Sequence, residues 1–258
     1  MLDGKTIVVA GVGSGLGGQI GRLALREGAN VVLAARNQAN LEAIAAQICP
    51  DGKRVHTVPT DITDEAQCKR LAEAAAERFG GIDALVQVAA LDRIFGGLAE
   101  VTRKEWMDAY ELGVVGSAQL VAAAAPHMKK RGGGSVVFIG SQSSFIPLVP
   151  QIAYASAKGA LMTAMYFMAN ELGPDNIRVN TVVATYMWGP AMENYVKETA
   201  VARGISEEEV VGEITSTMPL GRIPKDEEVA EAVIFFASDR ASTITGQHLL
   251  VNSGLMMR

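Results

Sequence analysis

Apolar and polar positions along this chain follow two rhythms. Short, nearly unbroken apolar runs at 6–10, 30–34, 55–58, 84–88, 135–139, 177–183 and 248–251 predict strands. Most lack the alternation of a half-exposed sheet, so they predict strands covered on both faces. Between them the pattern becomes helical. One helix opens directly after a glycine loop, with Leu16, Ile20 and Leu23 at helical spacing. Others are expected over about 38–48, 64–79, 103–112, 118–130, 152–172 and 226–237. Thr63 is the expected N-cap of the third, and Gly80-Gly81 its stop. Strand–helix alternation from end to end predicts an α/β fold, a doubly wound parallel sheet of about seven strands with helices on both faces.

One stretch breaks the rhythm. Residues 186–218 replace a tight strand-to-helix connection and carry Met187, Trp188, Met192 and Tyr195, then the acidic run Glu207, Glu208 and Glu209. Long insertions beyond the C-terminal end of a strand border the ligand edge of such sheets, so this segment is read as a substrate lid. A surface excursion packed on the body is the alternative. No repeat, low-complexity tract or linker divides the 258 residues, which read as one domain.

Composition narrows the function classes. Apolar residues make up 49% and charged residues 20%, enough for a large core. A net charge of −5 and the lack of a basic stripe exclude a nucleic-acid footprint. No apolar run is long enough for a membrane span, and no signal peptide pattern precedes the first strand, so a cytoplasmic protein is expected. Cys49 and Cys68 stand apart from each other and from any His cluster; they read as plain thiols, and no metal site is expected.

The first strand runs into Gly11-Val12-Gly13-Ser14-Gly15-Leu16-Gly17. Glycines between a strand and a helix let a pyrophosphate approach backbone N–H groups at the helix N-terminus. This context makes the domain a Rossmann-type NAD(P)-binding candidate, with Gly11, Ser14, Gly15, Leu16 and Gly17 as its phosphate loop. After the second strand comes Ala35-Arg36-Asn37, with no acid to accept from a ribose 2′-hydroxyl. Arg36 suits a 2′-phosphate instead, so NADP(H) is favoured over NAD(H). Asp61 and Ile62, beyond the third strand, fall at the adenine, where Asp61 would accept from the amino group; capping the next helix is the other reading of Asp61.

The chemistry gathers further on. Tyr154 and Lys158 lie four residues apart on one helix face. A cation ~4–5 Å from a phenol at an effective dielectric of ~20 is worth roughly 3–4 kcal/mol, about 2–3 pKa units towards neutrality. Ser141, thirteen residues before Tyr154, leaves a strand on the ligand edge and offers a hydroxyl to the substrate oxygen. With glycine loop, serine, tyrosine and lysine in this order, the chain resembles the short-chain dehydrogenase/reductase family over nearly its whole length. Ile177-Arg178-Val179-Asn180, Gly221-Arg222, Ser238-Asp239 and Thr245-Gly246-Gln247 agree with it. The resemblance implies Tyr154 as general acid/base, Lys158 also on the nicotinamide ribose, and assembly as a homotetramer. An apolar second face on helix 152–172 fits such pairing.

Several positions depart from the family. Its Asn-Asn-Ala-Gly is Gln87-Val88-Ala89-Ala90, with Ala89 at the cofactor; its helix asparagine is Gly113; its Pro-Gly is Ala184-Thr185, with Thr185 facing the carboxamide; its Asp-Gly-Gly is Asn252-Ser253-Gly254. The Gly113 carbonyl is expected to hold the relay water in place of the asparagine. The pocket is expected from Ser143, Ile146, Leu148, Gln151, Trp188, Met192 and Tyr195. These walls are mostly apolar, which points to a small hydrophobic ketone or secondary alcohol. A 3-oxoacyl thioester reductase and a non-catalytic dinucleotide-binding protein on the same fold are the rival readings.

Overall fold

The computed structural model describes residues 1–91 and 93–257. Seven parallel strands form one sheet in the order β3-β2-β1-β4-β5-β6-β7. They are β1 (Thr6–Ala10), β2 (Asn30–Ala35), β3 (Val55–Pro59), β4 (Ala84–Gln87), β5 (Gly134–Ser141), β6 (Ile177–Ala184) and β7 (His248–Val251). Chain order reverses between β1 and β4, so a crevice opens there at the strands' C-terminal ends.

Each inner strand buries both faces. Ile7 and Val9 point into one core with α1 (Leu16–Arg26), α2 (Gln38–Ile48) and α9 (Asp226–Ala237). Val8 and Ala10 point into the other with α3 (Glu65–Phe79), α5 (Gly116–Lys130) and α6 (Ile152–Leu172). This two-sided burial is the physical cause of the continuous apolar runs. The core sits on both sides of the sheet, and the site lies along one edge.

Two local expectations are corrected. Asp64, not Thr63, caps α3 by accepting from the Gln67 N–H; the Thr63 hydroxyl instead donates to Asp61 Oδ1 at 2.8 Å. Asp61 therefore caps its own turn and not the helix. The helix over 103–112 does not end there. After α4 (Arg103–Tyr110), the chain widens into a π turn, Glu111–Val115, and continues without a break into α5. Gly116 N–H reaches back five residues to the Glu111 carbonyl. A Cβ at Gly116 would stand 2.9 Å from the Ile62 carbonyl, so glycine there lets this helix press against the segment leaving β3.

The 186–218 segment folds as α7 (Pro190–Arg203) and α8 (Glu207–Thr215). The pair has its own small core of Met192, Val196, Ala200, Val210, Met218 and Ile223, with Trp188 packed against it. Among the described residues no helix is long and apolar enough to cross a membrane.

Candidate active site

Parallel register brings the C-terminal ends of the strands into one row. Ala10 pairs with Ala34 and Gln87, and Ser141 with Ala184. Gly11, Arg36, Ala89, Ser141 and Thr185 all follow from these ends.

The glycine loop is held tightly from beneath. Gly11 and Val12 donate their N–H groups to the Ala34 carbonyl, while Val88 and Ala89 donate theirs to Ala10. Gly11 has φ +97°, and a Cβ there would fall 2.2 Å from the Ala89 nitrogen. A Cβ at Gly17 would meet the Gly11 carbonyl at 2.7 Å, which brings the first turn of α1 hard against the loop. Gly13, by contrast, faces open space. Ser14 is exposed, Gly15 is the N-cap of α1 without a side-chain cap, and Leu16 is buried in the first turn. Unsatisfied helix N–H groups beside an open glycine cradle suit a diphosphate, so the residues present fit a dinucleotide.

Gln87 was not singled out in the sequence. Fully buried, it donates from Nε2 to the Ala89 carbonyl at 2.8 Å and fixes the backbone that the family shapes with asparagines. Its place at the first position of the altered Asn-Asn-Ala-Gly stretch was the available signal.

Arg36 is exposed at the end of β2 and makes no ion pair among the described residues. Asn37 beside it is committed to capping α2 through Asn40 N–H. Asp61 accepts twice from Thr63 through Oδ1, from N–H at 3.0 Å and hydroxyl at 2.8 Å, so only Oδ2 faces elsewhere. The Ile62 side chain is buried in the sheet's second core, and its carbonyl accepts from the Cys68 thiol at 3.3 Å.

At the catalytic end, Lys158 is buried and its ammonium donates to the Ile139 carbonyl at 2.6 Å. The same ammonium lies 5.8 Å from the centre of the half-buried Tyr154 ring. Burial and the bond to strand β5 place this cation beside the Tyr154 ring, where its field is little screened by solvent. Ser141 shares a 2.8 Å hydrogen bond with Ser143 through the two hydroxyls, which ties this expected pocket residue to the candidate catalytic serine.

Gly113 is buried at the middle of the π turn, and its carbonyl accepts from the Ser117 hydroxyl at 2.8 Å. The Ser117 hydroxyl thus takes one of this carbonyl's two lone pairs, and the other is the one a relay water would use. A Cβ on Gly113 would touch Ala157, the neighbour of Lys158, at 3.4 Å. A side chain here would therefore begin against Ala157, next to Lys158 in the chain.

A cavity of about 390 Å³ is lined by Gly96, Ser143, Pro147, Val149, Gln151 and Ile152 among others; Ser141, Tyr154 and Lys158 are not in its walls. Ile146 and Trp188 are half-buried nearby in sequence on the flanking loops, and Thr185 is half-buried just beyond β6. Met192 is corrected: at 7% exposure its side chain is spent on the core of the α7–α8 pair. Leu148 and Tyr195 stand exposed.

This arrangement of parallel sheet, glycine cradle and Ser–Tyr–Lys group has counterparts. A family model described as enoyl-(acyl carrier protein) reductase matches residues 11–256. The chain is 32% identical to dehydrogenase/reductase SDR family member 4 of Rattus norvegicus, covering 100% of this chain and 89% of that one. It is 29% identical to a 3-oxoacyl-(acyl-carrier-protein) reductase of Thermotoga maritima over 99% of both. The structure of L-sorbose reductase from Gluconobacter frateurii, complexed with NADPH and L-sorbose, superimposes with a TM-score of 0.93 at 28% identity, covering 100% of this chain and 98% of that one. The chain belongs to the short-chain dehydrogenase/reductase family, a family of NAD(P)-binding oxidoreductases.

Proposed function

We propose that the protein interconverts a hydrophobic secondary alcohol and its ketone, with NADP(H) preferred over NAD(H). The observation that carries the reading is Lys158, buried, hydrogen-bonded to Ile139 and set beside Tyr154. When bound, the dinucleotide supplies or accepts the hydride. Tyr154 gives its phenolic proton to the carbonyl oxygen in reduction and takes it back in oxidation. Lys158 favours the phenolate through its charge, and Ser141 orients the substrate oxygen with its hydroxyl, itself steadied by Ser143. The glycine cradle, Asp61 Oδ2, the backbone at Ile62 and Ala89, and Thr185 form the rest of the cofactor site in this reading. Arg36, without an ion-pair partner among the described residues, and the lack of an acid after β2 support the 2′-phosphate preference.

Proline, valine and isoleucine in the cavity that Ser143 and Gln151 share support an apolar substrate. Its walls also carry Ser143 and Gln151, whose polar groups would fix orientation. The α7–α8 pair acts as the lid. A 3-oxoacyl thioester is the second reading, favoured by the match to the enoyl-(acyl carrier protein) reductase family model and by the similarity to the Thermotoga maritima reductase. NADPH consumption with matched hydrophobic ketones, L-sorbose and a 3-oxoacyl thioester tests both. Preference for an apolar ketone is expected; preference for the thioester overturns the substrate assignment. A homotetramer completes the proposal, supported by Phe167, 72% exposed on the outer face of α6.

A further inference from the structure

Asp226 is the first residue of α9, and its carboxylate is not turned to solvent. The residue is 9% exposed. Its surroundings are backbone: a Cβ at Gly15 would lie 3.1 Å from Oδ2, and a Cβ at Gly189 would lie 2.2 Å from it. Gly15 is the N-cap of α1, at the phosphate loop, and Gly189 is the N-cap of α7, at the start of the lid; neither helix has a side-chain cap. One buried carboxylate thus sits where three helix N-termini converge. Among the described residues no side chain pairs with it.

The charged groups on the packed elements are occupied or turned outward. On α1, Arg22 binds Glu227 at 2.7 Å and Arg26 binds Glu231 at 2.8 Å. On α9, Glu228 binds Arg222 at 2.6 Å, and Lys225 is exposed. On α7, Glu193 and Lys197 are exposed. Ser14 is the uncharged polar group of the adjoining loop. The same corner is stitched to the lid: Trp188 N–H donates to the Pro224 carbonyl at 2.7 Å, and Asp226 N–H to the Trp188 carbonyl at 3.2 Å.

A diphosphate drawn to the N-terminus of α1 therefore arrives beside an anion already at that terminus. Two like charges a few ångströms apart in a partly desolvated corner do not both persist when one can take a proton. We propose that Asp226 is a proton-coupled gate on the dinucleotide site, its carboxylate taking up one proton from solvent as the cofactor's diphosphate settles at Gly15. The proton binds a carboxylate oxygen and leaves a neutral acid, able to donate to a phosphate oxygen or a backbone carbonyl. Asp226 also touches Gly189, so the gate links diphosphate binding to the first turn of the lid. Burial alone already pushes this carboxyl up to about 6, which brings the switch into the physiological range. The inference rests on the dinucleotide reading of the glycine loop and adds a residue to that site.

The experiment measures NADPH and NADH dissociation constants by fluorescence for wild type and Asp226→Asn between pH ~5.5 and ~8, with calorimetry in two buffers of different ionisation enthalpy. Affinity of wild type should fall with rising pH relative to the variant, by about tenfold for each unit that the bound cofactor raises the carboxyl. Because the 2′-phosphate titrates equally in both proteins, the wild-type to variant ratio isolates Asp226. Wild type should take up close to one proton more than the variant near neutral pH. A ratio independent of pH with equal proton uptake overturns the gate while leaving the dinucleotide reading intact. Failure of wild type to bind either dinucleotide at any pH overturns both. Should Asp226→Asn not fold, absence of proton uptake by wild type is enough to reject the gate.

Discussion

Arg36 would carry the proposed cofactor preference by position. It is exposed, has no ion-pair partner among the described residues, and follows β2 where an acid would exclude a 2′-phosphate. Arg36→Ala should weaken NADPH binding at least about tenfold, the scale of a lost charge-assisted contact, and leave NADH binding nearly unchanged; parallel titrations decide it, and equal losses refute the role. Asp226 makes a stability prediction of known sign. Its folded-state value of about 6 stands above the ordinary 3.8, so the folded chain holds this proton more tightly than the unfolded chain. Stability then falls as pH rises from about 3.8 through about 6 and stays level above. Asp226→Asn should raise the melting temperature near pH ~8 but not near pH ~4, the gain in stability being at most about 3 kcal/mol and reduced by the helix N-termini that favour the charge. A gain that persists unchanged near pH ~4 contradicts this origin. Tyr154, Lys158 and Ser141 were legible in the sequence because four-residue helical spacing and a strand exit are local facts. Gln87 and Asp226 were not, because each matters through a backbone group far away in the chain.

The α7–α8 insertion is the element whose local signals and three-dimensional packing separate most clearly. Ser206 accepts from the Glu209 N–H while Glu209 accepts from the Ser206 N–H, a capping box that starts α8. Arg203 then ties α7 to α8 through a two-pronged pair with Glu213. Ser206→Ala should cost about 1 kcal/mol, seen as faster amide exchange confined to 207–215. If the segment is a lid, the Michaelis constant should also rise while dinucleotide binding holds; an unchanged Michaelis constant would assign α8 a packing role only. The acidic run and the Met–Trp content marked this insertion in the sequence. That Met192 turns inward depends on how α7 meets α8, which residue order alone does not encode. The π turn is similar. Periodicity predicted a helix ending near 112, yet the ladder slips by one residue at Glu111–Val115 and carries on. Single-residue slips of this sort leave the apolar spacing almost unaltered, so they are invisible to it.

For the whole molecule, the seven strands, their parallel sense and the two covering layers followed from the rhythm of the chain, since burial on both faces demands continuous apolar strands. Strand order and the reversal between β1 and β4 came from the structure and explain why residues from five strand ends share one crevice. The outer face of α6 belongs to this scale as well. Phe167 is largely exposed there, while the neighbouring Tyr166 hydroxyl meets His248 Nε2 at 2.8 Å on β7. A homotetramer would cover this face. Phe167→Glu should shift the sedimenting species to a smaller assembly without loss of fold; a wild type that sediments as a monomer at micromolar concentration refutes the assembly. Catalysis by the Tyr154–Lys158 pair is the central claim, and NADPH oxidation with hydrophobic ketones by wild type and Tyr154→Phe tests it most directly. The account predicts turnover by wild type, loss of at least about a hundredfold in the variant, and NADPH affinity within about threefold of wild type, the change expected of a group outside the phosphate cradle. Equal turnover by the two proteins would contradict it.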